Sequence, residues 1–180
     1  MRKTKIAIFD LDGSLVETDA ANSAAYRIAL RKLGGGDIGK CHGRITSNVI
    51  GSAMKALAGT SIAEIKRLKA EAYRHEMWRT RLGPAAMALR CVLTNREFFS
   101  KVVLLTNSAT RRAIETLRHF GLQSCFDEVV CNGGRGNKYV NYFRTFDSDP
   151  AACVVWENEE GQIASAVVAG VKVENIRKVG

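Results

Sequence analysis

Ile6-Ala7-Ile8-Phe9-Asp10-Leu11-Asp12-Gly13-Ser14-Leu15-Val16 is the stretch on which the reading of the fold turns. It opens within KIAIF, residues 5–9, a short apolar run with no polar alternation, the pattern of a strand covered on both faces. Residues two apart on an extended chain point the same way, so Asp10 and Asp12 face one side and Leu11 the other. Gly13 then allows a tight exit from the strand that a side chain would hinder. Two carboxylates this close to a buried strand end cost free energy unless a cation or a shared proton compensates them. The pairing suits phosphoryl transfer, in which one carboxylate stays ionised as a nucleophile and the other holds a proton for the leaving group. The plain alternative is a strand ending in a polar turn with both acids solvated.

Outward from this stretch, three further apolar runs read as buried strands: VVLL at 102–105, EVVC at 128–131 and CVVW at 153–156. Residues 109–120 and 162–169 between and after them carry helical patterns, each followed by a glycine stop, Gly121 and Gly170. Strands alternating with helices predict an α/β fold with a Rossmann-like parallel sheet, in which ligands sit beyond the carboxyl ends of the strands. Residues 17–81 break that alternation. Helical patterns at 20–33, 47–57 and 63–78, interrupted by Gly34-Gly35-Gly36, make an insert longer than an ordinary crossover. The expected organisation is a core of residues 1–16 and 82–180 with a small helical cap at 17–81.

A chain of 180 residues, 46% hydrophobic and 25% charged, suits one full core with a small additional lobe. No apolar run approaches the roughly 20 residues of a membrane span. The basic start followed by Ile6 to Phe9 is interrupted by Asp10 too early for a secretory segment, so a cytoplasmic location and no membrane partner are expected. Five cysteines, an odd number without CxxC spacing, argue against a disulfide framework or a zinc knuckle and read as buried, reduced thiols. The net charge is +9, and residues 17–81 hold 12 Lys and Arg against 6 Asp and Glu. That excess reads either as a solvated basic face or as a field drawing anionic substrates such as phosphate esters or nucleotides; a nucleic-acid partner rests on basicity alone.

FDLDGSLV resembles the first motif of the haloacid dehalogenase superfamily, whose phosphatases carry a DxDG signature at this place. Later signals follow in the family's order. Leu104-Leu105-Thr106-Asn107-Ser108 resembles the second motif, which implies that Thr106 and the backbone N–H of Asn107 bind the phosphoryl group. Lys138, after Asn132-Gly133-Gly134-Arg135-Gly136-Asn137, resembles the third motif, whose lysine offsets negative charge; the usual Lys-Pro pair is absent because Tyr139 follows, and Arg135 is an alternative for the role. Val154-Val155-Trp156-Glu157-Asn158 resembles the fourth motif and departs from it. The family places an aspartate on magnesium where this chain has Asn158. An amide carbonyl can ligate Mg²⁺ but adds no charge for a hard cation.

The resemblance implies a phosphatase of the phosphoglucomutase-like or phosphoglycolate-phosphatase-like branch, with the cap selecting the substrate. The implied reaction is Mg²⁺-dependent hydrolysis of a small phosphate monoester through an aspartyl-phosphate. Asp10 would be the nucleophile, Asp12 the acid and base, and Thr106 and Lys138 the groups stabilising charge. The metal set would be Asp10, Asp12, Glu157 and Asn158. In the glycine-rich part of the insert, Arg44 is a candidate for an anionic leaving group and His42 for a hydroxyl. Two alternatives stand beside this reading: a catalytically weak or inactive binding or regulatory protein on the same scaffold, and a nucleic-acid-directed phosphatase.

Overall fold

The computed structural model describes residues 5–34 and 61–180. The helix expected at 47–57, together with His42 and Arg44, lies outside the described residues. The chain divides into two compact units, Met1–Glu17 with Leu82–Gly180, and Thr18–Arg81.

The first unit is built on five parallel strands: β1 (Lys5–Phe9), β2 (Phe99–Thr106), β3 (Glu128–Cys131), β4 (Cys153–Glu157) and β5 (Ile176–Lys178), in the order β3-β2-β1-β4-β5. Burial on both faces explains the unbroken apolar runs. On one face Ala7, Phe9, Val102 and Leu104 pack with Leu89 and Leu117. On the other, Ile8, Val103, Leu105 and Val155 pack with Tyr139, Tyr142 and Ala166. The covering helices are α3 (Ala85–Thr94) and α4 (Thr110–His119) on the first face, and α5 (Lys138–Phe146) and α6 (Glu160–Val168) on the second.

Four departures from the sequence expectations have simple causes. Strand β2 starts at Phe99, earlier than its apolar run, because Ser100 and Lys101 lie at its more exposed beginning. Strand β5 is a half-exposed edge of three residues, two of them basic, and carries no apolar run. Helix α5 was hidden by aromatic and β-branched residues that read equally well as strand, YVNYF. It forms because Asn137 caps it, its Oδ1 accepting the N–H groups of Tyr139 and Val140 at 2.9 and 3.2 Å, and because Tyr139, Tyr142 and Phe143 share one buried face. Finally, Cys153 is buried as expected, but Cys125 and Cys131 are half-buried and Cys91 is exposed on the solvent side of α3.

The second unit contains α1 (Asp19–Lys32) and α2 (Ile62–Glu76), which pack through Ala29, Leu30, Ile65 and Leu68 and through Ala21, Ala25, Ala72 and Tyr73. Ser61 caps α2 by accepting the Glu64 N–H at 3.2 Å. Among the described residues no helix is long and apolar enough to cross a membrane.

Candidate active site

The strand ends of the first unit converge because their registers align. Phe9 is level with Leu104 on one side and Trp156 on the other, so Asp10, Leu105 and Glu157 emerge together at the carboxyl edge. The Phe9 and Trp156 rings stack at 4.4 Å, and the Asp10 N–H donates to the Trp156 carbonyl at 3.0 Å. The chain then folds tightly back, with the N–H of Gly13 donating to the Val16 carbonyl and that of Val16 to the Leu11 carbonyl. Gly13 sits at φ +81°, and a Cβ there would fall 2.3 Å from Asn158 Nδ2. The loop therefore rests against the Asn158 amide, and its left-handed backbone angle favours glycine.

Lys138, the first residue of α5, is 1% exposed. Its Nζ donates to Asp10 Oδ1 at 2.6 Å and to Glu157 Oε2 at 2.8 Å. Tyr139 Oη donates to the same Glu157 oxygen at 2.9 Å, and Glu157 Oε1 accepts the N–H groups of Asn158 and Glu159. Two buried carboxylates thus share one ammonium and leave one negative charge uncompensated. Burial pushes Asp10 up to about 7, against the pull of Lys138 and with the help of the Glu157 and Asp12 charges. Burial disfavours the Lys138 ammonium, but the two carboxylates outweigh it and its pKa is raised.

Asp12 belongs to a second set. Arg112, in the first turn of α4, grips both of its oxygens, Nη1 reaching Oδ1 at 2.8 Å and Nη2 reaching Oδ2; Ser108 Oγ also donates to Oδ2 and accepts from Arg112. Thr106, 1% exposed at the end of β2, accepts the Ser108 N–H on its Oγ1 at 3.1 Å. That leaves its hydroxyl hydrogen to donate elsewhere. Asn132 ties the neighbouring loops together, its Nδ2 donating to Asn107 Oδ1 at 2.9 Å and its N–H to the Thr106 carbonyl at 2.8 Å. A buried acid on a lysine, a second acid two residues on, and a hydroxyl at the adjacent strand end thus lie together at the carboxyl edge of the sheet.

Residues 7–176 match the family model described as haloacid dehalogenase-like hydrolase. The chain belongs to that family. Similar solved structures include a Thermotoga maritima protein assigned as a beta-phosphoglucomutase, 25% identical with a TM-score of 0.72, covering 97% of this chain and 85% of that one. CbbY from Rhodobacter sphaeroides, in complex with phosphate, is 20% identical with a TM-score of 0.76, covering 94% and 84%. A predicted phosphoglycolate phosphatase from Haemophilus somnus is 18% identical with a TM-score of 0.68, covering 95% and 84%. Comparison with curated proteins finds no match.

Within this haloacid dehalogenase-like hydrolase, Asp10 and Lys138 are in contact, and Asp12 and Thr106 each engage Ser108. Arg135 is exposed, and its Nε donates to the Asn132 carbonyl, so Lys138 and not Arg135 contacts Asp10. Tyr139, where the family has proline, supplies a hydroxyl to Glu157. Ser108, Arg112 and Ser14 were not legible as site residues, because Ser and Arg at those spacings match an ordinary helix start and a polar turn.

The fit of these residues to Mg²⁺ is partial. Among the described residues no group of three His, Cys, Asp or Glu could hold a metal ion. Glu157, expected as a ligand, has both oxygens engaged by Lys138, Tyr139 and two backbone N–H groups, which makes it the partner of the lysine. Asn158 does adjoin the DxDG loop, but its Oδ1 accepts from Ser14 Oγ at 3.0 Å. In favour of a cation, no donor among the described residues reaches Asp10 Oδ2, and burial, with the Glu157 and Asp12 charges, raises Asp10. Of the expected ligands, Asp10 keeps an oxygen without a donor among the described residues and Asn158 adjoins the DxDG loop, so a metal site built on them would carry little charge.

Proposed function

We propose that the chain is a Mg²⁺-dependent phosphohydrolase that cleaves a small phosphate monoester through an aspartyl-phosphate on Asp10. The observation that carries this reading is the 2.6 Å contact between the buried Asp10 carboxylate and Lys138, with Asp12 two residues beyond it. CbbY, a structural neighbour, was crystallised with phosphate, which supports a phosphoryl ligand for this chain as well.

A carboxylate oxygen of Asp10 attacks phosphorus, and the bond from phosphorus to the ester oxygen breaks. Asp12 gives its proton to the departing oxygen. Water then attacks phosphorus, Asp12 takes the water's proton, and the bond to Asp10 breaks to release phosphate. The proton lent in the first half is returned in the second. The Thr106 hydroxyl and the Asn107 N–H donate to phosphoryl oxygens, and Lys138 offsets the charge that Asp10 and phosphate bring together. Asp10, the Asp12 carbonyl and Asn158 would hold Mg²⁺, which would supply positive charge favouring the ionised form of Asp10. The unit at 18–81 acts as the cap that selects the substrate, and the protein works in the cytoplasm.

The test is hydrolysis of 4-nitrophenyl phosphate with and without Mg²⁺, on the wild type and Asp10→Asn. Mg²⁺-dependent turnover that vanishes in the folded variant is expected. If the wild type binds phosphate but turns nothing over at saturating Mg²⁺, the Asn158–Ser14 pair favours the second reading, a binding protein on this scaffold.

A further inference from the structure

The contact that the phosphatase reading leaves unexplained is the one Arg112 makes with Asp12. A general acid must present an oxygen to the leaving group, yet both Asp12 oxygens are gripped by one guanidinium, and Ser108 adds a third bond. The fork geometry of arginine matches a carboxylate in this bidentate way, and it matches a second carboxylate or a phosphate equally well. Arg112 is suited to such an exchange. It lies in the first turn of α4, its side chain is 18% exposed beside an Asp12 side chain 8% exposed, and it projects from a helix that stays fixed through Ala113 and Leu117 in the core.

We propose that Arg112 is a positioning and specificity residue that reads a second anionic group on the leaving half of the substrate. When that group is present the guanidinium passes from Asp12 to it, freeing an Asp12 oxygen to face the scissile bond. When it is absent, Asp12 stays clamped and esters with poor leaving groups are turned over slowly. The substrate class is therefore a phosphate ester whose alcohol half carries a carboxylate or a second phosphate. This inference rests on the phosphatase reading above.

The test compares 3-phosphoglycerate with glycerol 3-phosphate, which share a three-carbon frame but differ in carboxylate against hydroxymethyl, and uses 4-nitrophenyl phosphate as a leaving group that needs no proton. Wild type, Arg112→Ala and Arg112→Lys are assayed at one pH and saturating Mg²⁺. The wild type should favour 3-phosphoglycerate by about ten- to a hundredfold in kcat/KM, the range of one charge-assisted bond. Arg112→Ala should erase that preference from both sides, raising KM for 3-phosphoglycerate and raising kcat for glycerol 3-phosphate. The nitrophenyl ester should change least. Arg112→Lys should keep part of the preference, since a point charge replaces the fork. Equal losses on all three substrates in either folded variant would overturn the proposal and leave Arg112 structural. Turnover of the nitrophenyl ester with no preference in the wild type would overturn it while leaving the phosphatase reading intact. No turnover of any ester would overturn both.

Discussion

Replacing Asp10 by Asn should make the metal-free protein more stable at neutral pH, although the Asp10 carboxylate accepts the Lys138 ammonium. Burial raises Asp10 from 3.8 to about 7. A group whose folded pKa is raised contributes stability that is present in full below its unfolded value and is lost as pH rises through the folded value. The window is therefore pH 4 to 7. A rise of about three pH units at ~1.4 kcal/mol each means that the folded state gives up about 4 kcal/mol across it. Asparagine does not titrate, keeps the shape, and leaves Lys138 its bond to Glu157. The stability gap between Asp10→Asn and wild type should thus widen by roughly 2 to 3 kcal/mol between pH 5 and pH 8. At about 2 to 4 °C per kcal/mol for a chain of this length, the variant gains several degrees in Tm over that interval. Urea and thermal unfolding of both proteins in chelator, at each pH, measure it. Saturating Mg²⁺ should narrow the gap, because a ligand that prefers the ionised site stabilises the wild type selectively. Parallel pH profiles for the two proteins would refute the reasoning, since they would mean that burial does not raise Asp10 in the folded state.

Two further outcomes follow from the departures at the site. Asn158→Asp should tighten Mg²⁺ by about tenfold or more, because an ionised ligand replaces a neutral amide against the DxDG loop; calorimetric titration checks this, and an unchanged affinity would mean that residue 158 does not face the metal. Gly13→Ala should cost about 1 to 2 kcal/mol in urea unfolding and lower turnover, because φ +81° strains a residue with a Cβ and the Cβ would push the Asn158 amide away; a variant as stable and active as the wild type would show that the loop relaxes freely.

The fold was legible where burial writes itself into composition. Runs such as KIAIF and CVVW are apolar without alternation because both faces of the sheet are covered, and β1 and β4 follow directly. Strand β5 was not, because an edge strand with Arg177 and Lys178 exposed needs no such run. The site was legible in its local part, Asp10, Asp12 and Gly13, since strand periodicity alone puts both acids on one side. Lys138 could be named only from motif order, and its burial between two carboxylates comes from the topology that brings β1, α5 and β4 together. Arg112 lies 100 residues from Asp12, and nothing local marks an arginine in a helical first turn as the partner of a distant acid. Tyr139 shows the same limit: the missing proline was visible, but not that the tyrosine hydroxyl would bond Glu157.

The central claim is that Asp10 itself carries the phosphoryl group, and trapping the intermediate tests it most directly. The protein is mixed with excess 4-nitrophenyl phosphate and Mg²⁺, quenched in acid within one turnover, digested and mapped by mass spectrometry. The account predicts a phosphoryl group on the peptide containing Asp10, labile to mild alkali and absent from Asp10→Asn. Turnover of the ester with no label on that peptide, or a label that persists in Asp10→Asn, would contradict it.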